Sequence, residues 1–207
     1  FGCYQTTTRD GQRCSSAKAY LKPIRKRKNL TVITKATASR IIFEGDKATS
    51  LVYNIEGRGS FCEAASKEII LCGGSINSPQ LLMLSGIGPS AHIQQHGIEV
   101  IKDLPGVGEN LQDHLDICTL QKCTKEITYD TTNQVLAGIQ FYLFKQGPGT
   151  SNVAESGGFL RSKLAEDERP DLQFHFVAAQ LDDHGRNKIP GSGYTLHVCF
   201  LRPKSRG

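Results

Sequence analysis

The pattern of hydrophobic and polar residues is most distinctive between residues 68 and 88, where an apolar run is followed by small residues and then by a second apolar run. The run Ile69–Leu71 carries no charge, which predicts a strand buried on both faces. The small residues Cys72–Ser75 follow and predict a tight turn. Ser78 can cap a helix and Pro79 suits its first turn, so we expect a helix that stays apolar until a Ser-Gly-Ile-Gly stop.

The pattern before this stretch predicts a helix and several strands. Ser15 or Ser16 can cap a helix that continues to about Lys28, where cations complement the helix dipole. β-branched residues at 30–34 predict a strand. Apolar runs separated by glycine turns then predict a small antiparallel sheet, with strands at 39–43, 48–54 and 60–65.

Beyond residue 115 the pattern predicts a second antiparallel sheet. Alternating or apolar runs indicate strands at 118–123, 156–160, 172–178 and 194–201. A helix is expected over 133–143, and Gly147-Pro148-Gly149 breaks it. This half therefore predicts the start of an antiparallel sheet with helices on one face.

Composition suits a globular protein and excludes several classes. The 207 residues are 38% hydrophobic and 22% charged, and the longest apolar runs fall well short of the roughly 20 residues of a membrane span. The N-terminus lacks the basic start and apolar centre of a signal peptide. The net charge of +5 is concentrated near Arg25–Lys28, but without interleaved aromatic residues or zinc spacing it predicts a solvated helix end rather than nucleic-acid binding.

Cysteine usage predicts reduced thiols and no metal centre. The seven cysteines form no Cys-x-x-Cys pair, and no cysteine and histidine cluster has metal-ligand spacing along the sequence. Several lie in strand-like apolar runs, where cysteine acts as a small hydrophobic residue.

Two interpretations of the glycine turn at Gly73-Gly74 remain open. A strand, a tight turn and a helix N-terminus together can hold an anionic or dinucleotide group against backbone N–H groups. A packing turn with no ligand would have the same residues, because many strand-to-helix turns contain glycine.

Two segments resemble one family. GSINSPQLLMLSGIG, residues 74–88, is similar to the second signature of the glucose–methanol–choline (GMC) flavoprotein oxidoreductases. LPGVGENLQDH, residues 104–114, is similar to the segment that follows it in that family. The similarity extends along the chain and is strongest to the branch that includes choline dehydrogenase.

The resemblance implies an α/β plus α+β fold and FAD as the cofactor. Residues 1–114 would form part of a Rossmann-like FAD-binding domain, and residues 115–207 the start of an antiparallel-sheet substrate domain. The expected cofactor-binding residues are Ala38, through its backbone near the adenine, and Gly73, Gly74, Ser78 and Pro79. From the residues alone Ala38 is equally consistent with an ordinary strand position.

The resemblance also implies a substrate residue. Glu155 matches an active-site glutamate of choline-oxidising relatives, where a carboxylate can pair with a trimethylammonium group; the alternative is an exposed glutamate at a strand start. His175 and His197 fall in predicted strands and could line a site or be structural. No catalytic residue is assigned, because the family's catalytic histidine and its Gly-x-Gly-x-x-Gly motif have no match here.

We therefore expect an internal segment of an FAD-dependent alcohol dehydrogenase that is inactive by itself. Choline is the first substrate candidate, and another alcohol or a non-catalytic truncated module are the alternatives. Asp113-His114 is interpreted as a structural loop rather than a catalytic pair. The resemblance implies a small-molecule alcohol as partner and a place in the cytoplasm or at the inner membrane, mitochondrial in a eukaryote. The sequence leaves the electron acceptor and oligomeric state open.

Overall fold

A computed structural model describes residues 1–183, 186–187 and 189–207. Its strands in chain order are β1 (Gly2–Cys3), β2 (Thr8–Arg9), β3 (Gln12–Arg13), β4 (Ala36–Glu44), β5 (Lys47–Ile55), β6 (Gly59–Ala64), β7 (Ile87–Gly88), β8 (Lys102–Asp103), β9 (Asp116–Lys122), β10 (Ser156–Leu160), β11 (Leu172–Val177) and β12 (Gly193–Phe200). Its α-helices are α1 (Lys22–Ile24), α2 (Gly74–Leu84), α3 (Ser90–Gln95) and α4 (Gln134–Ile139). The mixed α/β class agrees with the prediction.

The chain forms two compact units. The first contains Phe1–Leu30 and Asp113–Lys204, and the second contains Thr31–Gln112 and Ser205–Gly207. One boundary lies beside the predicted change of character at residue 115, whereas the first thirty residues group with the second half of the chain. The functional assignment of 1–114 and 115–207 to cofactor and substrate domains stays a prediction.

The second unit contains the predicted antiparallel sheet, in the order β4-β5-β6. Tyr53 pairs in register with Phe61, and their rings stack with centroids 5.6 Å apart. Gly45 and Gly57 have φ of 59° and 72° in the connecting turns, a conformation that glycine adopts without steric cost. The three predicted strands are confirmed, and β4 and β5 extend beyond the predicted ends.

The Ser-Gly-Ile-Gly stop connects helix α2 to this sheet. The Ser85 Oγ accepts a hydrogen bond from the Ile41 N–H of β4 at 2.9 Å and donates one to the Leu81 carbonyl at 2.6 Å. Gly86 has φ of 86°, and a Cβ there would lie 2.4 Å from the Glu99 carbonyl oxygen. The motif therefore ends α2 and lets the chain at Gly86 lie close to the segment that contains Glu99.

A short parallel pair follows. Ile87 pairs with Lys102, and the crossover between β7 and β8 carries α3. Ile93 of α3 is 1% exposed and is one of the most buried side chains in the described part of the chain. β8 itself is only two residues long.

Two strand predictions are wrong. Residues 69–71 and 30–34 adopt no regular structure, and Ile70 is 72% exposed. A strand needs a neighbour to pair its backbone N–H and carbonyl groups, and within the described residues none pairs with either run. Hydrophobicity alone therefore overpredicted strands here.

The first unit is built on a five-stranded antiparallel sheet, in the order β1-β10-β11-β12-β9. The predicted strands at 118–123, 156–160, 172–178 and 194–201 are confirmed to within two residues. Register places Gly157, His175, His197 and Cys118 directly opposite one another along one row. Because facing residues share a side of a sheet, these residues lie on one face, and Phe174, Val198 and Ile117 lie on the other.

The N-terminal residues lie along β10. Gly2 pairs with Gly157, and the Tyr4 hydroxyl donates to the Phe174 carbonyl. A Cβ at Gly157 would lie 1.9 Å from the Phe174 carbonyl oxygen, and one at Gly158 would lie 2.4 Å from the Phe1 ring. Glycine at both positions therefore allows the Phe174 carbonyl and the Phe1 ring to lie this close to β10.

The helices of this unit are shorter than predicted. The helix expected over 17–28 is a π-helical turn at Ala17–Leu21 followed by the three residues of α1, and Pro23 lies within α1, where it has no N–H to donate. The helix expected over 133–143 is α4 with a π-helical turn at Gln140–Phe144. Asn133 caps α4 by accepting hydrogen bonds from two backbone N–H groups.

Candidate functional site

Helix α2 begins in the glycine turn, four residues before the predicted cap. Gly74 is the first helical residue, and Ser78 and Pro79 lie inside the helix. The Ser78 Oγ accepts a hydrogen bond from the Gly73 N–H at 3.0 Å, so this side chain orders the turn instead of capping the helix. Gly73, Gly74, Ser78 and Pro79 are therefore brought together at one helix N-terminus.

This N-terminus borders a cavity of about 560 Å³. The first turn of α2 forms one wall through Ser75, Ile76 and Pro79, and the loop 108–112 forms the other. In the described part of the chain no side chain caps the helix, so its first N–H groups are available to a ligand. Gly74 has φ of 83°, and open space surrounds the position of a Cβ. The turn is therefore not closed by packing, which fits an anionic group such as a dinucleotide phosphate.

Ala38 lies apart from that helix N-terminus along the chain, near the start of β4. It is exposed, and it pairs with Tyr53 immediately before a bulge in the strand. A second cavity of about 580 Å³ lies at the entry to this strand, lined in part by Val32–Lys35. The position of Ala38, exposed and in an edge strand, is compatible with the predicted adenine contact, which stays a prediction.

Glu155 lies in the first unit, immediately before β10. Its side chain is exposed and accepts a hydrogen bond from the Tyr129 hydroxyl at 3.5 Å, while its carbonyl accepts one from the Tyr4 N–H at 2.8 Å. Val153, two residues earlier, has φ of 75°, a strained conformation for a β-branched residue. Such strain persists where surrounding structure enforces it and concentrates at binding sites.

His175 lies on the face of the five-stranded sheet that also carries Gly157, His197 and Cys118. The Tyr4 ring meets the His175 ring edge-on, with centroids 5.3 Å apart. The His175 Nε2 is buried and has no hydrogen-bond partner within the described residues. A buried polar atom without a partner is costly, so this nitrogen is a candidate for contact with a ligand.

One cluster was missed by the sequence analysis. Asp116, Cys118 and His197 place a carboxylate oxygen, a thiol sulfur and a ring nitrogen within 4.8 Å of one another. Partial desolvation raises the pKa of the Cys118 thiol, and the Asp116 carboxylate raises it further. The signal was present as Cys118 at the start of one predicted strand, with Asp116 two residues before it, and as His-x-Cys in another strand, but the pairing of the two strands could not be derived from spacing along the chain.

A protein-family model described as GMC oxidoreductase matches residues 1–116, which is more than half of the chain. The chain belongs to the GMC oxidoreductase family. The matched region is the N-terminal domain, which in this family is the FAD-binding domain. The predicted family and cofactor class are therefore confirmed.

Curated GMC relatives match along the whole chain. It is 47% identical to an alcohol dehydrogenase [acceptor] of Pseudomonas putida and 44% identical to an oxygen-dependent choline dehydrogenase of Brucella ovis, in each case over 100% of this chain. The chain spans 38% of the length of either relative.

Two solved structures share the fold. A pyridoxine 4-oxidase from Mesorbium loti is 31% identical, with a TM-score of 0.75 over 97% of this chain and 36% of that one. A formate oxidase superimposes with a TM-score of 0.86 over 96% of this chain and 39% of that one, at 24% identity, which shows likeness of fold. Among the described residues, no helix is both long enough and apolar enough to cross a membrane.

Proposed function

We propose that the complete protein is an FAD-dependent enzyme that oxidises a primary alcohol, with choline as the first candidate substrate. The observation that carries the proposal is the uncapped N-terminus of α2 beside a cavity of about 560 Å³, in a chain of the GMC family. Relatives that match the whole chain are named for alcohol and choline oxidation, which supports the same reaction class.

The α2 turn is the proposed holding site for the cofactor. Gly74 leaves the backbone open to a phosphate, Gly73 is held in the turn by its bond to the Ser78 Oγ, and Pro79 shapes the first turns of the helix. Glu109 lines the same cavity and can accept hydrogen bonds from sugar hydroxyl groups. The backbone of the exposed residue Ala38 is proposed to contact the adenine. When bound, FAD supplies the hydride acceptor for alcohol oxidation.

Glu155 is the proposed substrate residue. A trimethylammonium group cannot donate hydrogen bonds, so a carboxylate and aromatic faces are the groups that recognise it. Glu155 offers an exposed carboxylate, and Tyr129 provides an aromatic ring whose hydroxyl lies within 3.5 Å of that carboxylate. The bond to Tyr129 positions the charge, and the Tyr4 contact to the Glu155 carbonyl fixes the backbone beneath it.

A neutral aliphatic alcohol is the second candidate. A cavity of about 340 Å³ lies beside Tyr129 and is lined mainly by apolar groups, including Phe141 and Val153. Such a cavity suits a hydrocarbon chain rather than a cation. The relative named as an alcohol dehydrogenase has the higher identity of the two described above, which supports the same alternative.

Anaerobic titration of the flavin in the complete protein tests the proposal. Choline should bleach the flavin absorbance, and Glu155→Gln should raise the half-saturating choline concentration at least about 10-fold, because it removes the charge. Glu168→Gln is the matched control, since this carboxylate is 97% exposed and lies 3.9 Å from Arg161.

Other outcomes of the titration separate the alternatives. Bleaching by hexanol alone, with Glu155→Gln unchanged, would assign the aliphatic alcohol and remove the charge role of Glu155. A complete protein that purifies without flavin would refute the enzyme and leave a non-catalytic module of the same fold.

A further inference from the structure

The Asp116, Cys118 and His197 cluster is created by the pairing of β9 with β12. Cys118 lies directly opposite His197, and Asp116 lies two residues along the same face. The His197 Nδ1 is 2.7 Å from the Asp116 Oδ2 and 3.0 Å from the Cys118 Sγ, and the Sγ and Oδ2 are 3.8 Å apart. Residues 81 positions apart in sequence thus meet at one point.

The geometry differs from that of a nucleophile and its base. In a catalytic triad of cysteine, histidine and aspartate, the nucleophile and the carboxylate contact opposite nitrogens of the imidazole ring. One nitrogen accepts the proton of the thiol, and the carboxylate orients the ring through the N–H of the other. Here both the thiol and the carboxylate make their shortest contact with the same nitrogen, Nδ1. Three ligand atoms that converge on one point are the arrangement that a metal ion requires.

The spacing of the three atoms suits a tetrahedral ion. Ordinary zinc bond lengths place a nitrogen and an oxygen about 3.4 Å apart, and a sulfur about 3.6 Å from either of them. The observed separations of 2.7, 3.0 and 3.8 Å require adjustments of less than about 1 Å. Side-chain rotation supplies movements of this size without any change in the strands.

The surroundings provide access and a fourth position. Asp116 and Cys118 are exposed, so an ion can enter from solvent. β9 is an edge strand of the sheet, which leaves one side of the cluster uncovered by another strand. A water can complete the four ligands of a tetrahedral ion.

We propose that Asp116, Cys118 and His197 form a binding site for a zinc-type divalent cation. Binding forms a metal–sulfur bond at Cys118 and breaks its S–H bond, and the proton is released to solvent. The ion links edge strand β9 to β12 and so holds the end of the sheet. This site is independent of the proposed alcohol oxidation, since none of its ligands is assigned to cofactor or substrate.

Cobalt(II) binding to the chelator-treated complete protein tests the site. Cobalt should produce a thiolate-to-metal charge-transfer band and the intense visible bands of tetrahedral coordination, and equimolar zinc should displace it. One proton should be released for each ion bound when the imidazole is neutral. Cys118→Ser should abolish the charge-transfer band. Cys62→Ser is the control, because Cys62 is an exposed strand cysteine of the other unit and should leave the band unchanged.

Two further ligand variants test the site in case Cys118→Ser does not fold. Asp116→Asn and His197→Gln should each weaken zinc binding at least about 10-fold with an unchanged circular dichroism spectrum. The proposal is overturned if cobalt gives no charge-transfer band, if Cys62→Ser removes it, or if all three ligand variants bind zinc as the wild type does. None of these results depends on flavin content, so failure here is distinguishable from failure of the enzyme proposal.

Discussion

The Ser85 hydroxyl should contribute measurably to the stability of the second unit. It is 1% exposed and bridges the end of α2 to Ile41 of β4. β4 is an edge strand, so the Ile41 N–H finds its acceptor in Ser85 rather than in another strand. Substitution of Ser85 by alanine leaves that N–H buried without an acceptor, because Ile41 itself is only 3% exposed.

The expected magnitude follows from the cost of one unpaired buried donor. Loss of such a partner costs about 1–3 kcal/mol. If local opening governs exchange, this corresponds to roughly 5- to 150-fold faster hydrogen exchange at the Ile41 amide. The Leu81 carbonyl also loses a donor, but it keeps the Ser85 N–H at 3.1 Å, so we assign most of the effect to Ile41.

Hydrogen–deuterium exchange with mass spectrometry of the complete protein measures this effect. The peptide that contains Ile41 should exchange faster in Ser85→Ala, whereas peptides of the first unit should not change. Ser66→Ala is the control, since Ser66 is exposed and its substitution should change stability by less than about 0.5 kcal/mol. An Ile41 peptide within twofold of wild type would show that the bridge contributes nothing.

Two further predictions concern the first unit. Asn133→Ala removes the cap of α4 and should cost about 1 kcal/mol, measured as about fivefold faster exchange in the Val135 and Leu136 amides; equal rates would contradict it. Arg169 holds the pKa of Asp167 well below its usual value of about 3.9. The ionised carboxylate therefore stabilises the fold above about pH 4, and the contribution is lost as pH falls through the folded pKa. NMR titration of Arg169→Lys should show a higher Asp167 midpoint, and an unchanged midpoint would exclude this pairing.

Antiparallel strands were predicted well because their signals are local. In β4 to β6 and β10 to β12, alternation of side chains and glycine turns lie within a few residues of each strand. The strands at 69–71 and 30–34 failed for the opposite reason. Their formation depends on neighbours that are remote in sequence, and the described residues provide none.

The same contrast between local signals and contacts remote in sequence applies to the candidate sites. A turn at Gly73 and Gly74 before a helix could be predicted because an apolar run, small residues and a helix start are adjacent, although the structure moves the helix start from the predicted cap to Gly74. Cofactor contact at this turn stays a prediction. The cluster of Asp116, Cys118 and His197 was not found, because its members meet only through the register of β9 with β12. A single sequence predicts each strand but not which strands pair.

The strand order of the first unit has a consequence for biosynthesis. β1 pairs with β10 although about 155 residues separate Gly2 from Gly157, whereas β4, β5 and β6 are joined by turns of a few residues. Translation at about 5–20 residues per second delays the partner of β1 by roughly 8–30 s. During that interval the three-stranded sheet can form from local contacts. β1 therefore stays without its strand partner until β10 has been synthesised.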